Sequence, residues 1–175
     1  MPSPVGHSLG AIAAGWLVGG PARPRRALAK QTAILTLIGL APDLDLLIGR
    51  HSMETHSVGA AVLVGALAAW RRWPVAAGRW GIFFAASLAW LSHPILDMLA
   101  LDTSGPLGVM FLWPFTTEHM QTGWSVFAAI SRRYWVEGFV AYTVMAVVRE
   151  LAILLPVAAL AWFGRGNRTS GSGVG

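Results

Sequence analysis

The chain has 175 residues, 55% of them hydrophobic and 12% charged, with a mean hydropathy of +0.57. A soluble domain carries roughly 25% charged residues, so this balance points to lipid as the solvent. The net charge of +5 sits in short Lys/Arg clusters between apolar runs, which argues against a nucleic-acid surface, and the absence of Cys excludes disulfides and thiolate metal sites.

A first apolar segment runs from about His7 to Gly20 and holds Gly6-x-x-x-Gly10 and Gly15-x-x-x-Gly19, spacing that lets helix backbones approach closely. It is short for a full span. Its positive charges, Arg23, Arg25 and Arg26, follow it, the reverse of a secretory signal, so it reads as a retained segment with the N-terminus outside. After the linker Pro21–Arg26, a second segment covers about Leu28 to Ile48 and is interrupted by Pro42-Asp43-Leu44-Asp45. A polar turn from Gly49 to His56 leads to a third segment, Ser57 to Trp70, closed by Arg71-Arg72-Trp73-Pro74.

The fourth segment, Trp80 to Leu101, is the clearest span: its 22 residues make a helix of ~33 Å. A long loop to about Thr122 contains Trp113-Pro114-Phe115. A fifth segment within Trp135–Phe163 holds Arg149, Glu150 and Pro156. Glu150 is costly in such a segment unless paired, and a structural ion pair is the plain account. The Gly/Ser-rich tail, 164–175, reads as flexible. The expectation is one membrane-embedded domain over residues 1–163, an all-α integral membrane helical bundle of about four to five helices.

Placing the basic linkers at 21–30 and 71–79 in the cytoplasm makes the first four segments alternate across the membrane. Trp70, Trp73, Trp80 and Trp135 fit an interfacial aromatic belt. His7, Asp43, Asp45, His56, His93 and Asp97 then all fall on the outer side. Arg132-Arg133 dissents, since it would also lie outside.

His93 and Asp97 are four apart on one helix face and could reach one cation; a hydrogen bond fastening helices is the alternative. Asp43 and Asp45 would repel unless a cation or a wet surface relieved them. His56 is flanked by Thr55 and Ser57, hydroxyls suited to orienting an imidazole or to capping a helix. His7 is ordinary alone and gains weight from convergence. Three imidazoles and three carboxylates at one level suit zinc, and also manganese or iron, as one ion or two. His51, His119 and Asp102 are less committed; the last two, in or beside the long loop, are candidates for a general acid.

The ordered set of an N-terminal His, Pro-Asp-x-Asp, a His-containing turn ending in Thr-His-Ser, Ser-His-x-x-x-Asp and Trp-Pro-Phe resembles the YdjM-like family of LexA-regulated, membrane-bound metal-dependent hydrolases, over roughly residues 7 to 115. The resemblance implies metal ligation by His7, Asp43, Asp45, His56, His93 and Asp97, with His51 and Thr55 in the supporting turn, and residence in a bacterial inner membrane. The turn departs from the family's His-Arg-Gly-x-Thr-His, reading His51-Ser52-Met53-Glu54-Thr55-His56. The His-x-x-x-Asp element is also similar to that of all-α zinc-dependent phospholipase C and nucleases, which implies a phosphoester of a lipid or envelope component as substrate. A non-enzymatic metal-binding or metal-transporting membrane protein is the rival expectation, as is a structural protein whose polar residues only fasten helices.

Overall fold

The computed structural model describes residues 1–101, 107–130 and 134–166. Asp102, the Arg132-Arg133 pair and most of the expected tail lie outside the described residues. Helix α1, Pro4–Gly19, starts where Ser3 caps it by accepting from the Gly6 amide at 3.1 Å, with Pro4 in the first turn, where a missing N–H costs nothing. Helix α2, Arg25–Leu40, stops short of Pro42, and the chain tightens into a 3-10 turn, Ala41–Ile48, closed by Gly49 in the left-handed region (φ 68°). A second 3-10 turn, Glu54–His56, precedes α3, Val58–Arg71, which Ser57 caps through the Ala60 amide at 3.1 Å. Helices α4, Arg79–Met98, and α5, Phe139–Gly166, complete the set, and no strand occurs among the described residues.

Three stretches are long and apolar enough to cross a membrane: Arg25–Ile48, Arg79–Met98 and Phe139–Gly164. The other two helices are short. The 16 residues of α1 and 14 of α3 make ~24 and ~21 Å, below the ~30 Å of a hydrocarbon core. The expected four or five helices are therefore three long ones with two short ones packed among them.

Helix α1 is central, contacting α2, α4 and α5, while α3 leans on α4. The core between them is rich in alanine, with Ala11, Ala85, Ala86 and Ala89 fully buried, because small side chains let helices meet closely where lipid supplies no hydrophobic drive. The glycines of α1 do permit close approach, but to several partners: Gly6 faces Glu150 of α5, Gly10 faces Leu96 of α4 and Gly15 faces Leu35 of α2.

Two contacts fix direction. Ser3 meets Glu150, and Trp16 meets Trp162 with ring centroids 5.1 Å apart, so α1 and α5 run parallel. Gln31 binds the carbonyls of Gly20 and Val75 at 2.9 and 2.8 Å, so both basic linkers meet at one end of the bundle. His7, Asp43, His56 and His93 gather at the other, roughly 20 Å away at 1.5 Å per helical residue. Residues 107–120 return to this second end, where the carbonyls of Phe111 and Trp113 accept from the amides of Val58 and Gly59 at 2.9 and 3.0 Å and satisfy the start of α3. Glu150 is fully buried, and its partner is Ser3, not a basic residue; Arg149 turns instead to the Ser125 carbonyl at 3.0 Å.

Candidate metal centre

Four elements deliver side chains to one small volume. The first turn of α1 brings His7, the 3-10 turn after α2 brings Asp43, the second 3-10 turn brings His56, and the last turns of α4 bring His93 and Asp97. His7, His56 and His93 are fully buried, Asp97 is nearly so, and the Asp43 side chain is 24% exposed.

Their polar atoms converge. His93 Nε2 lies 3.2 Å from Asp97 Oδ2 and 3.4 Å from Asp43 Oδ1. His56 Nε2 lies 3.6 Å from Asp97 Oδ2 and 3.8 Å from Asp43 Oδ1, and His7 Nε2 lies 3.5 Å from Asp97 Oδ1. Despite this proximity, His7 Nε2, Asp43 Oδ1, His56 Nε2, His93 Nε2 and both oxygens of Asp97 are buried without a hydrogen-bond partner among the described residues. Orphaned polar atoms in an apolar interior are costly, and the cost is relieved when lone pairs aimed at one point share a cation. The donor set, imidazole nitrogens and carboxylate oxygens with no thiolate, fits a zinc, manganese or iron ion.

Two separate groups of three side chains could each hold an ion, His7 with His93 and Asp97, and Asp43 with His51 and His56. The contacts of Asp43 with His93 and of Asp97 with His56 tie the groups together.

Asp45 faces the other way. Its Oδ1 lies 2.9 Å from His51 Nδ1, and its Oδ2 accepts from Thr55 Oγ1 at 2.6 Å and lies 3.1 Å from His56 Nδ1. It therefore sits behind His56 and presents that ring to the cluster, with Thr55 Oγ1 3.0 Å from the same Nδ1. His93 is oriented comparably, its Nδ1 donating to the Gly39 carbonyl at 2.6 Å. Gly39 is required beneath the site, since a Cβ there would meet Ala11 and lie 2.9 Å from the His7 carbonyl oxygen.

Burial opposes charge on His56, but the adjoining Asp43 and Asp45 carboxylates outweigh it and raise its pKa above the ordinary histidine value. Ser57 caps α3 and donates to the Glu54 carbonyl at 2.5 Å, away from the cluster. His119 belongs to neither group of potential ligands, though its Nε2 is buried without a partner. His51 spans Asp45 and, through Nε2, the Met1 sulfur at 2.8 Å. Ser3 and Glu150, behind His7, carry no sequence signal beyond the cost of an acid in an apolar helix.

Among known families, the one described as YdjM inner membrane protein matches residues 1–167 of the chain. No curated protein and no solved structure matches it.

Proposed function

The chain belongs to the YdjM inner membrane protein family, and from the buried cluster we propose that it is a membrane-bound hydrolase dependent on a divalent metal, with zinc the first choice for these donors. One observation carries the reading: five residues from four elements bury unsatisfied donor and acceptor atoms, each within 3.2–3.8 Å of at least one other of the set. His7, Asp43, His56, His93 and Asp97 would hold one ion or two, with Asp45 and Thr55 fixing the His56 ring. A bound divalent ion would supply Lewis-acid activation of water and of an ester oxygen.

The chain's own residues shape access. Asp43 is the most open of the five, and it is followed by Leu44, Leu47 and Ile48, which are 62%, 84% and 71% exposed. An apolar rim beside the open ligand suits a substrate held by lipid, and a phosphoester of a membrane lipid or envelope component is the class we assign. His119 is the described residue assigned to protonating the leaving group, so His119→Gln should lower turnover and leave metal content unchanged. With the basic linkers in the cytoplasm, the centre faces the extracytoplasmic side. A reporter fused after Gly175 should then read cytoplasmic, because α5 ends beside the linkers; a periplasmic reading overturns the orientation.

Metal transport would need ligands continuing through the bundle. Among the described residues the path from the cluster toward the linkers crosses the alanine-rich core, and Gln31 at its far end is already fully bonded. The test is elemental analysis of the detergent-purified protein with His93→Ala and Asp43→Ala alongside. Bound metal in the wild type, lost in both variants together with turnover of a phosphodiester lipid, supports the proposal. A folded wild-type protein without metal sinks it, and metal flux in proteoliposomes without turnover replaces it with transport.

A further inference from the structure

The three imidazoles of the cluster are held in different ways. His93 Nδ1 donates to the Gly39 carbonyl, and His56 Nδ1 faces Asp45 and Thr55. Neither nitrogen of His7 has a hydrogen-bond partner among the described residues. Its ring stacks on His93 with centroids 3.7 Å apart and planes 13° apart, a contact that sets the plane of the ring and supplies no hydrogen bond to it. The hydrogen bonds that bear on its position are those of the α1 backbone that carries it.

That backbone is clamped from α5. The His7 amide donates to the Ser3 carbonyl at 3.0 Å. Ser3 in turn donates its amide to Glu150 Oε1 at 2.7 Å and its hydroxyl to Glu150 Oε2, while the same hydroxyl accepts from the Gly6 amide. Ser3 is 3% exposed and Glu150 0%. A Cβ on Gly6 would stand 2.7 Å from Glu150 Oε2, so the glycine opens the slot the carboxylate enters. An acid in an apolar helix is costly, and a carboxylate placed on the positive end of α1 with both oxygens engaged relieves that cost.

We propose that Glu150 is a positioning residue of the metal centre: through Ser3 it locks the first turn of α1 and so sets the His7 imidazole against the other ligands. The assignment rests on the metal-binding reading above. Glu150 touches neither metal nor substrate; it does for His7 what Asp45 does for His56, by way of the main chain.

Cobalt(II) titration of the full-length protein in detergent, followed by visible absorption, tests this. Glu150→Ala should weaken Co(II) binding by roughly ten- to a hundred-fold, the range for residues that orient ligands, and its spectrum at saturation should shift toward that of His7→Ala. Adding His7→Ala to Glu150→Ala should then cost much less than His7→Ala alone, because the two act through one ligand. Glu150→Gln, which keeps the shape and one strong acceptor, should restore part of the affinity. If Glu150→Ala does not fold, Ser3→Ala and Glu150→Gln decide by the same readouts.

A cap that only stabilises α1 would lower the thermal midpoint and leave the Co(II) spectrum as in wild type; that result overturns the proposal, as do additive effects of the Glu150 and His7 substitutions. Wild-type protein that binds no Co(II) overturns the metal reading itself, which is a separate outcome.

Discussion

The two ends of the bundle each bury polar groups, and they treat them oppositely. At the linker end, Gln31 is 2% exposed and every polar atom of its side chain is used: Oε1 accepts from Trp16 Nε1 at 3.2 Å and the Ala22 amide at 2.8 Å, while Nε2 donates to the carbonyls of Gly20 and Val75. At the other end, four buried residues and the more open Asp43 leave their inward-facing atoms unbonded among the described residues. A buried amide with all its bonds made is a fastener, complete in itself. A converging set of unmade bonds has the form of a socket, which a cation would complete.

The largest effect expected from this contrast falls on the socket. His93→Ala or Asp97→Ala should abolish metal retention, a loss exceeding the roughly 10- to 100-fold typical of residues that only orient ligands. Metal analysis after gel filtration reads it directly. Retention of stoichiometric metal in both variants would mean the orphaned atoms are not the ligands.

Gln31→Leu is the matching experiment on the fastener. It strands the Ala22 amide and the Gly20 and Val75 carbonyls and should cost about 1–3 kcal/mol of stability, with metal affinity unchanged. Thermal melts with and without metal separate the two ends: metal should raise the midpoint of wild type and Gln31→Leu alike. A Gln31 variant that loses metal would show that the ends are coupled and that the division is false.

How much of this was legible in the sequence depends on the range of the contact. The helical spacing of His93 and Asp97 places both on one face of α4 whatever surrounds them, and the pair arrives together in the cluster. Asp43 and Asp45 read as equivalent because only Leu44 separates them, yet they lie in a 3-10 turn. At three residues per turn, positions two apart face different directions. Asp43 accordingly points at His93, and Asp45 points at His51 and Thr55. The partner of Glu150 was out of reach, since Ser3 is 147 positions away and no local pattern links them. The Gly-x-x-x-Gly spacings announced close approach without naming the partners, because small residues specify distance and not identity.

Acidity should act on the two ends differently as well. The raised pKa of His56 means that a proton there stabilises the metal-free protein fully below the ordinary histidine value of about 6.5, and that this contribution is lost as pH rises through the higher folded value. A metal held by that imidazole would compete with protons there, so the rise in thermal midpoint produced by metal should shrink as pH falls through the same window. Gln31 carries no ionisable group, so the Gln31→Leu penalty should be flat across it. A metal-induced shift that is independent of pH would place His56 outside the ligand set.

The smallest effects divide two neighbouring hydroxyls that flank His56. Ser57 Oγ is committed to the start of α3, accepting from the Ala60 amide, whereas Thr55 Oγ1 sits between Asp45 and His56. Ser57→Ala should therefore cost about 1 kcal/mol of stability, the usual loss of an N-cap, with metal affinity preserved. Thr55→Val keeps the volume and branching of the side chain and removes the hydroxyl's contacts with Asp45 and with His56 Nδ1, so its main effect should be a weaker hold on metal. The helix that follows should tolerate it. The reverse pattern, affinity lost with Ser57 and kept with Thr55, would mean that the cap orients the imidazole, because the position of His56 would then be set by where α3 begins rather than by the carboxylate behind the ring.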